Sequence, residues 1–329
     1  MTIKKRYLIP VLALLTFSVG PRPHYPAIEG KISALDIPLA DLDRHIAEKE
    51  ALINDLKPDN QARVIWADSV RRTPYSIVYL HGFSASPMEA DPIHLEFARR
   101  YGCNMYLARL AGHGTSDPEA FAELTPKQLV DSAKEAIAIG QLLGEKVILM
   151  SCSTGSTLSI YLTANNPELI HSQILYSPNI DLESTASEML AWPWGLQIAR
   201  TILGEYNKFT PPPGAEAYWT TSYRIEGLVA LKYLLNETMT DKMFKAIHQP
   251  LFLGYYYKNE EERETLVSID DMKHFYEMIT TPEDKKELMA FPDVGAHVIA
   301  NHFQSKDLES VREKTFVFAE NILMLQPKE

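Results

Sequence analysis

The sequence predicts an α/β fold, a mostly parallel central sheet with helices on both faces. Three observations carry that expectation. Short continuous apolar runs of strand type recur, among them Ser76-Ile77-Val78-Tyr79-Leu80, Asn104-Met105-Tyr106-Leu107-Ala108 and Val147-Ile148-Leu149-Met150; unbroken apolarity is what strands buried on both faces require. Helical segments separate these runs, so strand and helix alternate as βαβ units do. Several strand runs also end directly in small-residue turns, such as His81-Gly82 and Cys152-Ser153-Thr154-Gly155.

Composition bounds the organisation. A chain of 329 residues, 46% hydrophobic and 23% charged, can bury a large core and suits one main domain with an insertion. A net charge of -11 and a pI near 5.4 argue against a nucleic-acid partner, which needs clustered Lys and Arg. The ten histidines show no metal-ligand spacing and the two cysteines form no C-x-x-C pair, so no metal or cofactor is expected. Cys103 and Cys152 read as two buried free thiols, although a disulfide between them would tie two neighbouring strands.

The elements follow in order. Lys4-Lys5-Arg6 and the apolar run 7–19 give residues 1–20 the character of a signal peptide or an N-terminal anchor. Ser18 and Gly20 are small enough for cleavage, but Pro21 is a poor acceptor, so both readings stand. The expectation is export, periplasmic or secreted in a bacterial cell, with membrane attachment through this segment if it is not cleaved. Residues 21–62 form an N-terminal extension with an amphipathic helix over 38–56, its stripe Leu39, Leu42, Ile46, Leu52 and Ile53. The core spans 63–180 and 250–329. Its first strand is Arg63-Val64-Ile65-Trp66, and alternation continues through 77–81, 92–101, 104–110, 126–143, 146–150, 154–164 and 172–176. Residues 181–249 break this rhythm and read as an inserted, mainly helical cap. It has an apolar helical segment from Trp192 to Leu203, a stiff turn at Pro211-Pro212-Pro213-Gly214, and a second helix over 227–235.

Ser153 stands where an apolar strand runs into a turn and then a helix, a context that makes a serine a candidate nucleophile. The usual pattern is G-x-S-x-G; here Ser151 replaces the first glycine and Gly155 is kept. Cys152 is a rival in principle, but one residue before the apex its side chain points into the fold. Upstream, a strand ends in His81-Gly82-Phe83, and downstream Phe291-Pro292-Asp293-Val294-Gly295-Ala296-His297 presents one histidine where a general base is wanted.

These segments, with Gly112-His113-Gly114 between them, resemble the α/β-hydrolase family in chain order, specifically its esterase and monoacylglycerol-lipase-like branch with a cap insertion. The resemblance covers nearly all of the chain from about Arg63 onward. It implies a Ser-acid-His triad in which His297 takes the proton of Ser153. It also implies an oxyanion hole made by the backbone N–H groups of Phe83 and Thr154. The chain departs from the pattern at the acid. Counting from Pro250 lands on Asn259, which cannot stabilise imidazolium by charge, whereas counting back from the next helix lands on Glu264. An acidic insertion reconciles the two counts; Glu264 is the expected acid, with Glu260 and Glu262 as substitutes.

The resemblance thus implies a hydrolase cleaving carboxylic esters through an acyl-enzyme on Ser153. The partner expected is a small-molecule ester with an apolar acyl or aromatic part, and Trp192 and Trp194 of the cap are candidates to line its pocket. The same triad also runs acyl transfer and thioester, amide or C–C bond hydrolysis. The altered elbow and displaced acid leave open a non-catalytic binding protein.

Overall fold

The computed structural model describes residues 17–328; the basic cluster and most of the apolar run of the leader lie outside them. The N-terminal extension carries α1 (Leu42–Glu50). The core follows with β1 (Arg63–Ile65), β2 (Thr73–Leu80), α2 (Ile93–Tyr101), β3 (Asn104–Leu107), α3 (Pro126–Leu143), β4 (Gly144–Cys152), α4 (Thr154–Asn165) and β5 (Ile170–Tyr176). Between β5 and the next core strand lie a 3-10 turn at Thr185–Ala191, α5 (Gly195–Leu203), β6 (Tyr206–Lys208), β7 (Ser222–Arg224), α6 (Glu226–Thr238) and the single turn α7 (Asp241–Phe244). The core closes with β8 (Leu251–Tyr256), α8 (Ile269–Met278), β9 (Lys286–Phe291) and α9 (Leu308–Asn321).

Seven strands form one sheet in the order β1-β3-β2-β4-β5-β8-β9. Only β1 is antiparallel, Val64 facing Tyr106 of β3. Along the others one register row reads Leu80, Ser151, Leu175, Leu253 and Leu288, so the loops after these strands gather at one edge. Both faces are covered. Ile77, Tyr79, Ile148, Met150, Ile174 and Phe252 pack into one core with α2 and α9. Their neighbours Val78, Leu80, Val147 and Leu149 pack into a second with α3. This is why the strands read as unbroken apolar runs.

Two expectations need correction. The helix expected over 38–56 ends at Glu50, and Leu52 is 79% exposed. The following backbone is drawn away to the 114–116 loop, where Asp55 C=O accepts from Ser116 N–H and Lys57 N–H donates to Gly114 C=O. The segment 181–249 also holds an antiparallel pair, β6 with β7, between its two helices.

The extension is bound to the core rather than trailing from it. Leu42 and Ile46 are buried against the α3 side. Glu50 takes Arg109 in a two-pronged ion pair at 2.7 and 3.0 Å, both side chains largely buried. Asn166, at the end of α4, pairs with the backbone of Gly30 and Ile32.

Candidate active site

The turn between β4 and α4 places Ser153 at φ +50°, a region that non-glycine residues rarely occupy. Main-chain bonds hold it there: Ser153 N–H donates to Tyr176 C=O at 3.0 Å, and Ser153 C=O accepts from Asn179 N–H at 3.1 Å and Ser156 N–H at 2.9 Å. Close approach of α4 to β2 explains the retained glycine. A Cβ on Gly155 would stand 2.0 Å from Leu80 O, and backbone cannot yield that distance. The serine in place of the first glycine has its own account. Ser151 is fully buried and its Oγ pairs with Ser156 Oγ at 3.0 Å, so strand and helix share one satisfied hydroxyl pair.

Glu264 reaches the site through a closed insertion. After β8 the chain folds back on itself: Lys258 and Asn259 N–H groups donate to Glu262 C=O, and Tyr257 bridges Arg263. Glu264 N–H then donates to Tyr256 C=O at 3.1 Å, which returns the carboxylate to the strand end as though the insertion were absent. Glu264 is 1% exposed, and its Oε1 accepts from the N–H groups of Thr265, Leu266 and Val267 at 3.0, 2.8 and 3.4 Å. Its Oε2 lies 2.7 Å from His297 Nδ1. Glu260 and Glu262, the substitutes, are at the surface instead. Glu260 takes Tyr257 OH at 2.9 Å and Glu262 pairs with Lys258, away from the histidine.

His297 follows β9, its carbonyl fixed by Ser177 Oγ at 2.6 Å. Burial opposes its protonation, yet the charge and hydrogen bond of Glu264, with a further push from Glu89, raise its pKa above the ordinary value. Burial likewise disfavours the Glu264 anion, but His297 and the loop amides hold its pKa below the usual carboxylate range. With Nδ1 donating to Glu264, Nε2 is left for the cleft.

That cleft, about 500 Å³, is bordered by Ser153, Thr154, Phe83 and His297 together. Its walls are largely apolar, with Trp219, Tyr223, Leu228 and Leu231 from the cap and Leu266 and Val267 from the acid loop. Among the described residues, Thr154 Oγ1 and Asn179 Oδ1, whose residues line the cleft, are buried with no hydrogen-bond partner. The Phe83 ring packs on Phe121 at 4.8 Å and on Tyr223 at 5.5 Å, which joins the turn after β2 to the cap. His81 is structural: its Nδ1 faces Gly82 O at 2.9 Å, its Nε2 accepts from Leu110 N–H, and burial pushes its pKa well down. Cys152 is 1% exposed and burial pushes its thiol pKa far up, a poor nucleophile; Cys103 is also buried and free.

Trp192 and Trp194 do not line this cleft. They sit on the outer surface of the cap, 46% and 37% exposed, Trp192 against Phe17 and the Trp194 amide on Pro21 C=O at 2.9 Å. The physical reason is that Leu196 and Ala199 of α5 turn inward to Leu190 and Val229, which leaves the flanking tryptophans outside. Sequence reasoning missed Trp219 and Glu89 as cleft residues. Trp219 stands four residues before Tyr223 in a short aromatic stretch outside any helix, a signal that was there to read.

A family model described as "Alpha/beta hydrolase family" matches residues 77–308. Comparison with curated proteins finds no match. Solved structures share the fold at low identity. One reported with LipS and LipT, two metagenome-derived lipolytic enzymes, has 16% identity and a TM-score of 0.65, covering 80% of this chain and 98% of that one. The monoacylglycerol lipase of Paleococcus ferrophilus has 13% identity and a TM-score of 0.58, covering 78% and 98%. Est1E of Butyrivibrio proteoclasticus, with ferulic acid bound, has 16% identity and a TM-score of 0.53, covering 80% and 95%. With its family model matched from β2 to the start of α9 and the elbow, acid loop and histidine loop gathered at one sheet edge, the chain belongs to the alpha/beta hydrolase family.

Proposed function

We propose that this protein is a serine hydrolase of carboxylic esters, working through an acyl-enzyme on Ser153. The observation that carries the reading is the buried Glu264–His297 hydrogen bond of 2.7 Å in the same cleft as a serine held at φ +50°. Ser153 Oγ attacks the ester carbonyl while His297 Nε2 takes its proton, and Glu264 orients and stabilises the imidazolium. The N–H groups of Phe83 and Thr154 receive the developing oxyanion. His297 then returns the proton to the leaving alcohol, and water repeats the sequence on the acyl-enzyme. The apolar cleft wall supports an acyl or aromatic group as the part buried. Lipolytic enzymes, and Est1E with ferulic acid bound, are among the structural neighbours and agree with that class.

A panel of nitrophenyl esters at varied pH tests the reading. Turnover is expected, and kcat/KM should rise with pH because attack needs neutral His297, whose raised pKa places the limb above about 6.5. No turnover of any ester, or a flat profile between about pH 5 and 8, would contradict it.

We further propose that the protein is exported and stays attached to a membrane surface through its N-terminal segment. Lys4-Lys5-Arg6 before an apolar run supports this. So does the cap surface beside Phe17, where Ile202 and Leu203 are 65% and 54% exposed next to the two tryptophans. Among the described residues no helix is long and apolar enough to cross a membrane. Cell fractionation with an intact-mass measurement should find the chain with the membrane fraction and uncut at its N-terminus; recovery from cytosol would contradict export.

A further inference from the structure

Glu89 is a buried carboxyl that the triad does not use. It leaves the loop after β2, is 2% exposed, and borders the cleft together with Ser153 and His297. Its Oε2 accepts from Gly82 N–H at 2.6 Å and from Tyr79 O–H at 2.9 Å. A Cβ built on Gly82 would stand 2.7 Å from Glu89 Oε1 and 3.1 Å from Ser153 Cβ, so carboxyl and serine flank one backbone unit.

That unit decides where the Phe83 N–H points. In a planar trans peptide the N–H of Phe83 lies opposite the C=O of Gly82. Gly82 is held at both ends, its N–H by Glu89 and its C=O by His81 Nδ1 at 2.9 Å and by Ala85 N–H at 3.3 Å. Glycine is the residue whose backbone would otherwise wander most.

We propose that Glu89 is a positioning residue: its carboxyl pins the Gly82 amide so that the Phe83 N–H faces the oxyanion. The proposal rests on Ser153 being the nucleophile. The groups facing Glu89 are Tyr79 from β2, Cys152 from β4 and His297 from the loop after β9; His94 of α2 lies behind Tyr79, ring to ring at 5.0 Å. Burial keeps Tyr79 and Cys152 protonated and His94 neutral, its pKa pushed down to about 3. Burial pushes Glu89 up to about 7, against the pull of Gly82 N–H, Tyr79 and His297.

The test compares wild type, Glu89→Gln and Glu89→Ala on a soluble nitrophenyl ester, with fluorophosphonate labelling of the wild type alongside. Glutamine keeps an acceptor for both bonds but has no charge. Glu89→Gln should hold kcat within about tenfold, because the bond that pins the Gly82 amide and the one from Tyr79 are both kept. Glu89→Ala should lose about 100-fold in kcat at little-changed KM, the signature of a misdirected oxyanion donor. Glu89→Ala that keeps kcat within about tenfold of wild type, or Glu89→Gln that loses about 100-fold like the loss expected of alanine, overturns the proposal, and the second result decides even if Glu89→Ala fails to fold. Wild type that takes no label on Ser153 removes the nucleophile and this proposal together. Label on Ser153 with either of those results removes Glu89 alone.

Discussion

Alanine at position 153 is expected to lower kcat on every ester by about 10⁴-fold or more, with the fold intact. The expectation of an intact fold comes from how the turn is held. The four bonds that fix Ser153, from its N–H to Tyr176 and to its C=O from Asn179, Ser156 and Thr157, are made by main chain and survive the substitution. The left-handed backbone strains alanine as it does serine. Thermal melting should therefore change little while turnover disappears. The neighbouring thiol offers no substitute, since Cys152 is buried in the core beneath the sheet edge and its pKa is pushed far up. Retention of more than about 1% of the activity would move the nucleophile elsewhere.

Glu264→Gln is the second large effect, a loss of about 10⁴-fold in kcat. The substitution leaves size and most bonding unchanged, because an amide oxygen can still accept from the Thr265 and Leu266 N–H groups. What changes lies 2.7 Å away at His297 Nδ1. A glutamine NH₂ facing that nitrogen would favour the tautomer with the proton on Nε2, which cannot take a proton from serine, and no charge would remain to stabilise imidazolium. Glu260→Gln and Glu262→Gln should stay close to wild type, since one carboxylate is spent on Tyr257 and Arg263 and the other on Lys258 at the surface. Steady-state kinetics of the three variants decide this; equal losses would mean that the acid loop acts as a unit and that Glu264 has no special role.

Much of this arrangement was legible in the residues, for physical reasons that differ from place to place. Strands buried on both faces announce themselves as runs like Val147-Ile148-Leu149-Met150, and a serine between such a run and a helix can be recognised without knowing the sheet order. Glu264 could be reached because counting from the strand and from the helix disagreed by the length of one insertion, and the loop closing Tyr257 onto Arg263 is that insertion. Local periodicity failed where distant backbone intervened. The stripe continuing to Leu52 and Ile53 says nothing of Asp55 and Lys57 pairing with the 114–116 loop. Apolar character also says nothing of direction, so Trp192 and Trp194 read as cleft residues although α5 turns them outward, while Trp219 lines the cleft. Glu89 was hidden most deeply. In Ser84-Ala85-Ser86-Pro87-Met88-Glu89 it looks like an ordinary loop carboxylate, and its burial depends on Tyr79, Gly82 and Cys152 meeting it across the sheet edge.

The central claim is that the hydroxyl of Ser153 is activated by the buried His297–Glu264 pair. Fluorophosphonate labelling of the purified protein, followed by intact mass and peptide mapping, tests it most directly, with Ser153→Ala and Glu264→Gln as controls. One adduct per chain is expected, on Ser153, absent from Ser153→Ala and formed far more slowly in Glu264→Gln. An adduct on another residue, or no adduct on protein whose melting shows it to be folded, would contradict it.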